Sequence, residues 1–216
     1  MQNNIASIID HTNLHPDATE KQIEKLCQEA TEWNTASICV APFYVKKCSE
    51  LLLGTEVDVG TVVGFPLGFH HNYVKVSEAE QAIEDGASEL DMVINIGALK
   101  DGRDEVVLED ISKIVQIAEG QILKVIIETA LLTNKEIVKA CQLALEAQAD
   151  FVKTSTGFAN EGATLENVKL MRKTVGSSLG VKAAGGIRTY KQAIEMYKAG
   201  ANRIGTSSTS KIIAGS

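Results

Sequence analysis

Cysteine is scarce in this chain and never paired in a CxxC spacing: Cys27, Cys39, Cys48 and Cys141 are spread through 216 residues. They are too few to staple a domain of this size, so reduced and mostly buried thiols are expected. A basic excess is missing as well. Twenty-one Lys and Arg against 28 Asp and Glu leave a formal charge of −7, which argues against general nucleic-acid binding and against attraction to an anionic membrane. Any anionic ligand must then be met by local groups. The longest stretch without a charged residue, Val59 to Val74, is broken by Gly60, Gly64, Pro66 and Gly68 and cannot form a membrane-spanning helix. Met1 to Asn4 show neither the positive region nor the apolar region of a signal peptide, which places the expected location in the cytoplasm.

What the chain does have is the balance of a globular domain. It is 44% hydrophobic and 23% charged, and its length suits a single domain over residues 1–216. Short runs rich in Val and Ile alternate with helical patterns throughout, the signature of βα units and a parallel sheet. Eight strands are expected, near Ile8 to Thr12, Ala36 to Ala41, Val57 to Gly64, Glu89 to Asn95, Leu123 to Thr129, Asp150 to Ser155, Gly180 to Ala184 and Arg203 to Gly205. Between them, Ile23, Leu26, Cys27, Ala30 and Trp33 form an apolar stripe at helical spacing, as do Ile137, Cys141, Ala144 and Leu145. Thr19 with Gln22, Thr133 with Glu136 and Thr189 with Gln192 read as capping boxes that open helices.

Three similar tripeptides, Gly86-Ala87-Ser88, Gln148-Ala149-Asp150 and Gly200-Ala201-Asn202, each sit where a helix should end and a strand begin. Eight such units in this length make a small (β/α)₈ barrel. The alternative is an open, doubly wound sheet. Against it, no GxGxxG follows the first strand, and the glycine-rich turns cluster late in the chain.

In a barrel the active site forms at the carboxyl ends of the strands. Alternation sends Leu90, Met92 and Ile94 towards the helices and leaves Asp91, Val93 and Asn95 inside. The same reasoning groups Lys153 with Phe151 and Ser155, and Lys182 with the small Gly180 and Ala184. A buried lysine needs a counter-charge or a lowered pKa. Two ammonium groups on adjacent strands, about 5 Å apart, repel by roughly 3 kcal/mol at an effective dielectric of 20. That is roughly two pKa units, enough to bring one lysine from about 10.4 towards 8 and make its neutral amine available as a nucleophile. The plainer alternative is that Lys153 or Lys182 snorkels at the rim, with Asp91 as a structural counter-ion. Glu128 reads as a structural neighbour of this network.

Glycine-rich turns follow the last two strands, Gly185-Gly186 before Arg188 and Gly205 before Ser207-Ser208. Loops after strands seven and eight are the usual phosphate site of such barrels, so a small phosphorylated carbonyl compound is the expected ligand. Other polar residues carry less. Adjacent His70 and His71 point apart on an extended segment and have no ligand-spaced companions, so no metal is expected. His11 suits a structural role as well as acid–base work, and Cys39 reads as core.

The stretches Asp10 to Leu14, Glu89 to Asp91, Lys124 to Thr129, Phe151 to Gly157, Lys182 to Arg188 and Gly205 to Ser208 together resemble the deoxyribose-phosphate aldolase family, in order, from about residue 5 to about 210. The resemblance implies a class I aldolase without metal or cofactor, cleaving 2-deoxy-D-ribose 5-phosphate to D-glyceraldehyde 3-phosphate and acetaldehyde. It implies Lys153 as the Schiff-base lysine, Lys182 as the lysine that perturbs it, and Asp91 as the acid of the proton relay. Asp10 and Thr12 match the polar residues at the substrate's other end; Thr156, Gly157, Gly185, Gly186, Arg188, Gly205, Ser207 and Ser208 complete the implied substrate site. Two departures stand out: the chain ends Ile212 to Ser216 without the tail tyrosine of some members, and Phe158 stands where some carry a lysine. Self-association into a dimer or tetramer is expected of such barrels. A different Schiff-base aldolase and a phosphosugar-binding protein without catalysis are the competing functions. Lys153, Lys182 and Asp91 together count against mere binding, which has little use for two amines side by side in a low-dielectric site.

Overall fold

The computed structural model describes residues 5–118 and 120–215. Met1 to Asn4, on which the reading of the chain's start rested, lie outside the described residues, as does Ser216. Eight strands run parallel: β1 Ile9–Asn13, β2 Ser37–Val40, β3 Asp58–Val63, β4 Glu89–Val93, β5 Ile122–Ile126, β6 Phe151–Lys153, β7 Gly180–Ala184 and β8 Arg203–Thr206. They pair in chain order, and β8 returns to β1 with Ile9 opposite Ile204, so the sheet closes into the expected (β/α)₈ barrel and the doubly wound alternative is excluded. The expected boundaries overran at β5, where Glu128 adopts a left-handed backbone, φ 53°, and turns the chain away from the barrel wall.

Around the barrel lie α1 Glu20–Trp33, α2 Val45–Leu51, α3 Asn72–Glu84, α4 Ile96–Lys100, α5 Asp104–Ile117, α6 Asn134–Glu146, α7 Leu165–Val175, α8 Tyr190–Lys198 and α9 Thr209–Ala214. The three expected capping boxes open α1, α6 and α8. At α6 the Glu136 carboxylate accepts from the Thr133 amide at 2.6 Å, satisfying a donor that the helix leaves free. The apolar stripes turn inward as their spacing required: Ile23, Leu26, Cys27 and Ala30 of α1, and Ile137, Cys141 and Ala144 of α6, are buried. All four cysteines are free and buried. Gly86 and Gly200 take positive φ at the helix-to-strand turns, and Gln148 does so at the third without being glycine. Among the described residues no helix is long and apolar enough to cross a membrane.

Two layers result. Leu90, Met92 and Ile94 join the apolar shell between strands and helices, while the inward side chains include a belt of charge rather than the branched aliphatics usual inside such barrels. The helix shell also holds a buried ion pair. Lys75 of α3 pairs with Asp110 of α5 and donates to the Val93 carbonyl at 2.8 Å, tying two helices to the end of β4.

Small residues make room where the interior is crowded. A Cβ on Gly180 would lie 2.2 Å from the Phe151 ring on the neighbouring strand, and one on Gly205 would lie 3.0 Å from Lys182 Cε. Space beside Lys182 therefore comes from β8, and Gly180 makes room for Phe151. Because overpacking of a filled core costs about 1–3 kcal/mol, Gly180→Ala is expected to lower the urea midpoint by a corresponding amount. An unchanged midpoint would show that the aromatic ring can retreat.

Candidate active site

The strand register builds the site. Asp91 sits opposite Lys124, Lys153 opposite Lys182, and Lys182 opposite Arg203, so alternation places all of these side chains inside the barrel. Asp91 Oδ2 lies 2.7 Å from Lys153 Nζ and 2.6 Å from Lys182 Nζ, while its Oδ1 lies 3.0 Å from Lys124 Nζ. Lys182 also pairs with Asp10 at 2.5 Å, and Lys124 with Glu89 at 2.6 Å. Arg203 closes the belt by pairing with Asp10 and, at 2.6 Å, with Glu89. Lys153 and Lys182 are 3% and 1% exposed, which rules out the rim-snorkelling alternative.

Four cationic side chains thus face three carboxylates in a space shielded from water. Such a layer cannot comfortably hold all four cations. Lys153 is the member that yields: burial, reinforced by repulsion from Lys182 and opposed by Asp91, pushes its pKa below the ordinary lysine value of 10.5. For Lys182, burial is outweighed by Asp10 and Asp91, and its pKa rises. Lys124 is likewise held charged, chiefly by Asp91 against the cost of burial. The lysines do differ in the expected sense, but burial contributes more to Lys153 than the lysine–lysine repulsion invoked from the sequence. Burial, with Asp91 nearby, pushes the Cys39 thiol up to about 11, in keeping with a core residue rather than a nucleophile.

A cavity of about 290 Å³ opens at the carboxyl ends of the strands. Of the residues singled out from the sequence, Thr12, Lys153, Thr156, Gly157, Gly185, Gly186, Arg188, Gly205, Ser207 and Ser208 line it. Asp91 and Lys182 lie buried beneath. Asp10, expected at the substrate's far end, is also in the buried layer, where its ion pairs to Lys182 and Arg203 hold it. Lys153 alone of the belt reaches the cavity among the described residues.

The sequence reading missed the rest of the belt, Lys124, Glu89 and Arg203, although alternation from Asp91 already put Glu89 on the inner face. It gave Glu128 a structural role without naming its partner, and it missed the close packing of Gly162. The Glu128 carboxylate accepts from the Thr156 amide at 3.1 Å and from the Thr156 hydroxyl, fixing the turn after Lys153. Gly162 packs so closely that a Cβ there would lie 2.1 Å from the Gly185 carbonyl oxygen, and Ala163 N–H donates to that oxygen at 3.1 Å. His11 is bonded on both ring nitrogens, to Glu29 and to Thr209. Among the described residues no three His, Cys, Asp or Glu side chains gather in a manner suited to a metal, and His70 and His71 form no such group.

Comparison with known proteins adds an independent line. A family model for DeoC/LacD family aldolases matches residues 5–214. The chain is 57% identical to a deoxyribose-phosphate aldolase of Geobacillus sp. (strain WCH70), over 100% of this chain and 97% of that one. It is 59% identical to the deoxyribose-phosphate aldolase of Thermococcus kodakarensis, over 98% and 96% of the two chains. Among solved structures, the tetrameric deoxyribose phosphate aldolase of Aeropyrum pernix superposes with a TM-score of 0.92 at 37% identity, covering 97% of this chain and 89% of that chain.

The belt also makes stability depend on pH. Burial tends to raise the Asp10 pKa, but Lys182, Lys124 and Arg203 together depress it well below the usual carboxylate range. A depressed folded-state pKa gives stability that is fully present above the unfolded value of about 3.9 and is lost as pH falls towards the folded one. The advantage of the native protein over Asp10→Asn should therefore be constant from pH 7 to 5 and shrink by about 1 kcal/mol per pH unit below pH 4. Urea unfolding at each pH tests this, and a gap that stays constant to pH 3 would contradict it.

Proposed function

The chain belongs to the DeoC/LacD aldolase family, and from that membership we propose that it cleaves 2-deoxy-D-ribose 5-phosphate reversibly to D-glyceraldehyde 3-phosphate and acetaldehyde through a Schiff base on Lys153. One observation carries the assignment to this residue. Lys153, the one cation of the belt whose pKa is lowered, is also the belt residue that reaches the cavity.

The chemistry follows from that position. The neutral Lys153 amine adds to the aldehyde carbon of the open-chain sugar, and loss of water from the carbinolamine gives an iminium. As a base removes the proton of the C3 hydroxyl, the C2–C3 bond breaks and its electron pair flows into the iminium. Glyceraldehyde 3-phosphate leaves and an enamine remains on Lys153. Protonation of that enamine at C2 gives the acetaldehyde iminium, and water releases acetaldehyde and the free amine. Asp91, ionised and 2.7 Å from Lys153 Nζ, serves as the acceptor side of the proton relay, and the charged Lys182 on the same oxygen serves as the donor side. Water in the cavity links them to the substrate.

The phosphate lies at the other end of the cavity. The amides around Gly185 and Gly186, the Arg188 guanidinium and the Ser207 and Ser208 hydroxyls supply donors there. Phe158 lines the same cavity and stacks edge-to-face on Phe65 at 5.3 Å, so at that position an apolar wall replaces a charged contact. Thr12 borders the cavity, with its hydroxyl donating to the Asp10 carbonyl at 2.8 Å. In this reading the whole chain acts as one catalytic barrel in cytoplasmic deoxyribose phosphate breakdown. It self-associates, as the tetrameric Aeropyrum pernix relative does.

Incubation with acetaldehyde or deoxyribose 5-phosphate followed by borohydride should leave a covalent adduct on Lys153, located by peptide mass spectrometry. Lys153→Ala should lose the adduct and about 10⁴-fold or more of kcat. Undiminished cleavage and trapping in that variant would overturn the Schiff-base assignment.

A further inference from the structure

The serines at the phosphate end stand in an unusual place. Ser207 borders the catalytic cavity and also a second cavity of about 280 Å³, which reaches Lys25, Leu26 and Glu29 of α1. Ser207 is exposed, so packing alone does not locate it, and the hydrogen bonds of its neighbours must fix the turn. Two threonines bracket the turn and do so. Thr206 donates to the Ile187 carbonyl at 2.7 Å and accepts from the Ser208 amide at 2.9 Å, which ties the turn to the Gly185–Arg188 loop. On the other side the fully buried Thr209 hydroxyl meets His11 Nδ1 at 2.8 Å.

The His11 ring is itself braced. Its Nε2 lies 3.1 Å from the Glu29 carboxylate, and its face packs beside Trp33 at 5.4 Å. A carboxylate accepts, so Nε2 carries the proton and Nδ1 is left as the acceptor for the Thr209 hydroxyl. Burial keeps the ring neutral by lowering its pKa, which preserves this single arrangement. The chain Glu29, His11, Thr209 thus runs from α1 through β1 to the turn that carries Ser207 and Ser208.

We propose that Glu29, His11 and Thr209 are positioning residues for the phosphate group: they hold the Ser207–Ser208 turn in register with the Gly185–Gly186 turn, and take no part in carbon–carbon cleavage. This rests on the phosphosugar reading of the cavity. Its consequence is selective. Losing the tie should weaken recognition of the phosphate while leaving Lys153 and its belt untouched, since a small displacement of a binding group costs affinity wherever that group is used.

The test compares deoxyribose 5-phosphate with unphosphorylated 2-deoxyribose as substrates. Thr209→Val removes the hydroxyl at nearly constant shape. It is expected to raise KM for the phosphorylated sugar about tenfold, with kcat within about twofold and kcat/KM for 2-deoxyribose unchanged; Thr209→Ser should restore the native KM. Glu29→Ala, made at a partly exposed site, should shift KM in the same direction and serves if Thr209→Val does not fold. Equal losses on both substrates, or an unaltered preference for the phosphorylated one, would overturn the positioning role. A wild-type enzyme without that preference would overturn the phosphate reading and this inference with it, a result separable from the variants because it needs none of them.

Discussion

The closed barrel holds four cationic side chains and three carboxylates in one buried layer, and the rest of the site is arranged around that mismatch. Lys124, Lys182 and Arg203 each bridge two or more carboxylates, whereas Lys153 has only a share of Asp91 Oδ2. If the layer is to approach neutrality, Lys153 is the group that gives up its proton most readily. The arrangement that stabilises the barrel's polar interior is therefore the same one that lowers the pKa of the amine facing the cavity. Neither property requires a separate device.

The belt depends on backbone features that carry no charge. Gly205 leaves room for the Lys182 stem, and closure of β8 onto β1 brings Arg203 to Asp10 across the seam of the barrel. Above the belt, the order of parts follows the strands: the reactive amine comes from β6, the anion-binding turns from the ends of β7 and β8, and the Thr12 wall from β1. A phosphorylated substrate thus meets its anchor and the nucleophilic amine on different strands. The wall fixes their separation.

Most of the architecture was legible because period and capping are local signals. Eight alternating units, three capping boxes and the glycine turns each depend on neighbours within one or two turns of chain, and all reappear in the fold. Lys153, Lys182 and Asp91 could be grouped inside the barrel for the same reason. The partners of Asp10 could not: its pairing with Arg203 spans 193 residues and exists only because the barrel closes. Glu128 eluded a clear reading because its backbone leaves the strand geometry that alternation assumes. The closeness of Gly162 to Gly185 is a contact between two loops, which no pattern within either announces.

The central claim is that Lys153 is the cation of the buried layer that loses its proton most readily, and side-chain NMR of ¹⁵N-labelled lysine Nζ across a pH titration measures it directly. The account predicts that Lys153 loses its proton below the ordinary lysine value of 10.5, while Lys182 stays charged above it. Should Lys153 remain an ammonium up to 10.5 while Lys182 titrates first, the charge layer would be activating the wrong amine and the account would fail.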